Sequence, residues 1–193
     1  MAPRGLLTPE ELRGLILVHA RSLVERNSIR GFSMRELAKA VGYSSANLYH
    51  VFHDVHDIML SVEGDLLDRL TARLRSSTSG VVASHQVLPL TRAYVQFAGE
   101  SFRLWELLHS HRLPGRMRTD KFAPILECFE DALFAISGRA DTGDVKRGAQ
   151  VVWAGVHSIA SLGAMTKVGP SLGLEITEMA EDFVTNYLSG FDI

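Results

Sequence analysis

Cys128 is the single cysteine in this 193-residue chain. That excludes an intramolecular disulfide and any multi-cysteine zinc site. It lies in FAPILECFEDALF, on the apolar side of a helical pattern, where it is either a buried structural thiol or a redox sensor. No run approaches the roughly 20 apolar residues that span a bilayer. The opening residues, MAPRGLLTPEEL, lack the apolar core of a signal peptide and soon turn acidic, so a cytoplasmic protein is expected. Strand-like alternation does not persist anywhere, and no internal repeat is visible. Also absent are a nucleophile elbow, a phosphate loop, an HExxH helix and any paired-carboxylate motif, so no enzymatic step and no cofactor is suggested. Strong charge of one sign is missing too, the formal net charge being −2.

What is present is helical periodicity in a composition of 46% hydrophobic and 22% charged residues, ordinary for a folded globular chain. The expected fold is all-α. Thr8-Pro9-Glu10-Glu11 reads as a helix start, with Thr8 as N-cap, Pro9 at the first helical position and Glu11 able to close a capping box. Leu12, Leu15, Ile16, His19, Ala20 and Leu23 then recur at helical spacing to about Arg26. Asn27, which tolerates a left-handed conformation, and Ser28 stand where that helix should end. Ser33-Met34-Arg35-Glu36 repeats the capping-box pattern, followed by the stripe Leu37, Ala38 and Val41. Gly42 supplies a tight turn, and Ser44 caps a third helix from Ser45 to about Val51.

Asp54 can cap a long fourth helix to about Arg75, with Ile58, Leu60, Val62, Leu66, Leu67, Leu70 and Leu74 as its apolar set. The clearest linker is SSTSG at 76–80. Helical patterns follow at 89–111, 119–136, 144–168 and about 174–188, with breaks at Pro114-Gly115, at 137–143 and in GPSLG. The expected organisation is a small domain over residues 1–56 and a larger one over 57–193. Residues 1–56 hold seven Lys/Arg and five acids, and the rest thirteen and seventeen, so the small basic excess lies in the first domain.

Residues 31–60 place two short helices around a glycine turn, with polar and aromatic side chains on the second. A DNA major groove about 12 Å wide accepts one helix, whose N-terminal residues reach base edges. Ser44, Ser45 and Ala46 are small enough for close approach, and Asn47 is the strongest base reader, able to pair with adenine through two hydrogen bonds. Arg35 suits guanine or phosphate. Thr8, Tyr49 and His50 suit phosphate, which sets register without reading sequence. Ser33 and His53 complete the expected contact set. The bland alternative is a three-helix structural module that never meets DNA.

The run Ser33-Met34-Arg35, Leu37-Ala38, Gly42-Tyr43-Ser44, Leu48-Tyr49 and Phe52 resembles the N-terminal domain of TetR-family transcriptional regulators over residues 9–60. That resemblance implies an Ω-shaped homodimer of helical subunits that releases a near-palindromic operator when a small ligand enters the C-terminal domain. Two positions depart from the family pattern. Val55 stands where a phosphate-gripping lysine is common, and Asn27-Ser28 replaces a glycine.

In the C-terminal half, Trp153-Ala-Gly-Val-His157-Ser158 is similar to a Trp-x-x-x-His-Gly motif of one domain type in this family, with Ser158 in place of the glycine. Trp153 and His157, at i and i+4, share a helix face. They either line a ligand cavity or form a core Trp on a hydrogen-bonded His. Phe97, Phe102, Trp105, His109, Phe122 and Phe129 complete the expected cavity lining, for a small and largely apolar effector. His109 and His111, at i and i+2, point apart on a helix, so no metal site is expected from them. Small residues such as Gly148, Ala149, Ala154, Gly155, Ser158 and Gly163 suit either a homodimer interface built from about 144–190 or intramolecular packing. The rival classes are an adaptor that binds protein partners and a small helical enzyme using His157 or a carboxylate.

Overall fold

Thr8 starts the first helix through a reciprocal pair of bonds. Its hydroxyl accepts the Glu11 N–H at 3.2 Å, and its own N–H donates to the Glu11 carboxylate at 2.7 Å. The computed structural model describes residues 7–110, 119–137, 142–165 and 175–190. Among these there are nine α-helices and no strand: α1 Pro9–Asn27, α2 Met34–Val41, α3 Ser45–Val51, α4 Val55–Ser77, α5 Val87–Glu100, α6 Phe102–Ser110, α7 Ala123–Ser137, α8 Thr142–Met165 and α9 Ile176–Ser189. The all-α reading holds. No described helix is long and apolar enough to cross a membrane.

Helix α4 is the spine, with α1, α5, α6 and α7 packed along it. Its buried stripe is Ile58, Met59, Val62, Glu63, Leu66, Leu67, Leu70, Thr71 and Leu74. Leu60 was expected there but is only half-buried, since it falls outside the three-four spacing that Met59 and Glu63 satisfy. The Glu63 carboxylate lies 3.5 Å from the Lys121 ammonium in a largely buried ion pair. The stretch 89–111 is two helices rather than one, turning at Ser101. Helices α5, α7 and α9 pack around α8. His111 and the expected breaks at Pro114-Gly115 and GPSLG lie outside the described residues. Cys128 is half-buried, its thiol donates to the Pro124 carbonyl, and burial pushes its pKa up, which favours the structural reading over redox sensing.

Two local expectations are corrected. Glu36 does not reach back to cap α2. Ser33 accepts the Glu36 N–H, but the Glu36 carboxylate accepts from the Asn27 amide at 3.3 Å instead. The left-handed torsion after α1 falls on Ser28 and not on Asn27, with φ 60° and ψ 173°. Only glycine populates that region without strain, which in other residues costs about 1–3 kcal/mol. Ser28→Gly is therefore expected to raise the unfolding free energy by about 1 kcal/mol. Urea denaturation checks this, and an unchanged midpoint would show that Ser28 is relaxed.

Arg103, near the start of α6, donates to the Glu25 carbonyl at 2.8 Å and also to the Arg26 carbonyl. These are last-turn carbonyls of α1 that no intrahelical donor reaches.

Candidate functional site

Seven residues are too few for an isolated helix to persist in water. Helix α3 is held by Leu48, fully buried, and by Phe52 behind it. Arg13 of α1 fastens its far end. The guanidinium lies 4.2 Å from the Phe52 ring centroid, donates to the Val51 carbonyl at 3.4 Å and to Ser61 Oγ at 2.9 Å. Arg13 is a positioning residue that sequence periodicity missed, because its partners lie 38 and 48 residues away. Gly42, at φ 79°, makes the turn that sets α3 across α2.

The opposite side of α3 faces solvent. Ala46, Asn47, Tyr49 and His50 are exposed and Ser45 is half-buried, while Arg35 on α2, Thr8 and His53 are also exposed and Ser33 is half-buried. Ser44 caps α3 by accepting the Asn47 N–H at 3.3 Å, and its hydroxyl donates to the Asn47 side-chain oxygen. The Asn47 side-chain oxygen thus already accepts one hydrogen bond, which leaves its second lone pair and its amide N–H groups open to solvent. The basic excess of this region is not all outward. Arg21 pairs with Asp65 at 3.0 Å and Arg13 is engaged inside, whereas Arg30, Arg35 and Lys39 are exposed.

A second constellation lies in the larger half. Trp105, His109, Phe122, Trp153 and His157, all expected cavity residues, gather around the His157 imidazole. Trp153 stacks on it at 5.4 Å, Trp105 and His109 lie at 5.6 and 5.4 Å, and Phe122 at 6.2 Å. Tyr94 of α5 joins them, its hydroxyl 2.8 Å from His157 Nδ1 and accepting from Trp153 Nε1 at 3.3 Å. Ser161 Oγ accepts from Trp105 Nε1 at 3.0 Å and sits 3.2 Å from His109 Nε2. Phe129 reaches the cluster through Tyr94, 6.3 Å away. Phe97 is buried beside Arg69, and Phe102 is 49% exposed beside Arg103, so neither joins. Tyr94 and Ser161 were missed. Ser161 was findable, since it continues the four-residue ladder of Trp153 and His157, but Tyr94 has no local signal.

Burial, and next the nearby His109, push the His157 pKa down to about 4, and burial alone lowers that of His109. The facing titratable groups are Tyr94 and His109. An imidazole held neutral in the fold but free to protonate near 6.5 when unfolded gives stability that is intact above pH 6.5 and falls as pH drops towards 4. Thermal melts of the wild type are expected to weaken over that window more steeply than those of His157→Gln, and parallel curves would contradict it.

On α8 the small residues divide between two faces. A Cβ on Gly155 would meet the Phe183 ring at 2.2 Å and one on Gly163 would meet Ile176 at 2.8 Å, so both glycines admit α9. Val151, Ala154, Ser158 and Leu162 form a separate exposed stripe. The glycines at 155 and 163 thus fit the intramolecular packing reading of this helix.

Residues 16–60 match the family described as bacterial regulatory proteins, tetR family. No curated protein matches the chain. Among solved structures, the fold is similar to a protein of unknown function from Rhodococcus sp. RHA1, with TM-score 0.78, 25% identity and 98% of each chain covered. It is also similar to a TetR-family transcriptional regulator from Pectobacterium atrosepticum, with TM-score 0.75, 17% identity, and 94% of this chain and 95% of that one covered. A third is the transcriptional regulator FadR from Bacillus subtilis in complex with stearoyl-CoA, with TM-score 0.69, 14% identity, and 92% and 98% covered.

Proposed function

We propose that this chain, whose residues 16–60 match the tetR family and whose fold is similar to that of a TetR-family regulator, is a transcriptional regulator that represses from a near-palindromic operator and lets go when a small, largely apolar effector enters residues 57–193. The observation that carries the reading is the polarity of α3. Leu48 is fully buried, while Asn47, Tyr49 and His50 stand in solvent beside Arg35. Residues 1–56 form the reading domain. Two copies joined through α8 and α9, across the Val151–Leu162 stripe, would set two α3 helices on successive faces of the duplex, and two-fold symmetry in the protein requires near two-fold symmetry in the site. The cluster around His157 is the effector site. The neighbouring FadR structure is a complex with stearoyl-CoA, and the apolar stearoyl part of that ligand supports a largely apolar occupant.

Gel-shift on DNA from the protein's own upstream region tests the reading. Asn47→Ala is expected to relax preference at one base position by about 1–3 kcal/mol, and Arg35→Ala to weaken specific retention. Tyr49→Ala is expected to weaken all sequences alike. Retention indifferent to Arg35 and Asn47 would remove these residues as readers. The absence of any specific retention would favour an adaptor for protein partners.

A further inference from the structure

The polar atoms among the rings fix one another's protons. Tyr94 is fully buried, so its hydroxyl proton needs an acceptor. An indole N–H only donates, so Trp153 Nε1 gives its proton to the phenol oxygen 3.3 Å away. The hydroxyl proton then goes to His157 Nδ1 at 2.8 Å. A ring nitrogen that accepts carries no proton, so the neutral His157 holds its own on Nε2. At Ser161, Trp105 Nε1 donates to the serine oxygen, which also lies 3.2 Å from His109 Nε2, so this hydroxyl joins the two side chains.

The result is a neutral His157 with Nδ1 committed as an acceptor and its Nε2–H still to be satisfied. The walls are apolar. Trp153, Phe122 and His157 are half-buried, which makes them reachable, whereas Trp105, Tyr94 and Phe129 form a closed floor. Among the described residues the titratable group that acts electrostatically on His157 is His109, whose own pKa burial lowers. No fixed charge among these residues waits for a counter-ion. A carboxylate set here would be desolvated without a cation, and an ammonium would find ring faces but no anion and would leave the His157 N–H without an acceptor.

We propose that this site, on the reading that it is the effector site, selects an apolar molecule bearing a neutral oxygen acceptor, such as a ketone or ester carbonyl, which receives the Nε2–H of His157. The two tryptophans of the chain, Trp105 and Trp153, are both in the cluster, so intrinsic fluorescence reports this site alone.

Full-length protein is titrated at pH 8 with octan-2-one, octanoate and hexyltrimethylammonium while tryptophan emission is followed. The ketone is expected to bind at least tenfold more tightly than either ion, and His157→Phe, which keeps the ring packing, is expected to erase that advantage. Equal or tighter binding of an ion overturns the proposal, and so does silence with all three probes. Independently of any probe, nitrogen NMR of histidine-labelled wild-type protein, with His157 identified by the His157→Phe variant, is expected to show a lone proton on Nε2. A proton on Nδ1, or on both nitrogens, overturns it as well. Failure of the regulator reading would appear in the gel-shift, with the tautomer and the ketone preference unaffected.

Discussion

Trp105→Ala is expected to lower the unfolding free energy by about 3–5 kcal/mol. The indole is fully buried, packs edge-on against Tyr94 at 5.6 Å, and donates its N–H to Ser161. Truncation opens a cavity in a close-packed interior and strips Ser161 of its donor, and these two losses add. Phe102→Ala gives the matched control. It removes another aromatic ring three residues earlier on the same helix, but that ring is 49% exposed, so the expected change is within about 0.5 kcal/mol. Chemical denaturation of both variants checks the contrast. A Trp105→Ala loss below about 1 kcal/mol would mean that neighbouring rings collapse into the space.

Gly155→Val is the second large effect, with an expected loss of about 1–3 kcal/mol. Even the first carbon of the new side chain would lie 2.2 Å from two atoms of the Phe183 ring. Either the ring swings away or α9 moves off α8. Phe183→Ala alone should destabilise. Added to Gly155→Val, it should restore part of the loss, because it removes the atoms in collision, and a double-mutant cycle reads that coupling directly. Strictly additive effects would show that the two residues do not meet. Sedimentation of Gly155→Val adds a second readout. If α8 and α9 together form the subunit contact, displacing one from the other should shift the protein towards monomer.

Much of this architecture was legible because the deciding signals are local. Thr8, Ser44 and Asp54 cap as a three-residue reach predicts, since each accepts the N–H three positions on. The pattern through Ser33, Gly42, Leu48 and Phe52 marks the helix-turn-helix for the same reason, within the residues 16–60 that match the tetR family. Ser161 and Leu60 were misjudged on local spacing, and the other misses are tertiary or competitive. Glu36 had two donors within reach and took Asn27 over the local one. Leu60 is apolar but off the stripe. Ser28 and not Asn27 carries the strained torsion, because helix length and not residue preference decides which position falls at the end. Trp153 and His157 could be set on one face from spacing alone. Tyr94, which completes their network from 63 residues away in sequence, could not. Phe97 and Phe102 show the limit of composition, because an aromatic residue announces burial or contact without saying where.

Helix α6 spans only nine residues, yet it touches both halves of the molecule. Arg103 grips the tail of α1, while Trp105 and His109 are tied to Ser161. From Arg103 to His109 is about 9 Å along the axis, too short a rod to absorb a tilt by bending. Helix α6 thus ties the side chains around His157 to the tail of α1 through a single short rod, and either fastening can be cut by one substitution, at Arg103 or at Ser161.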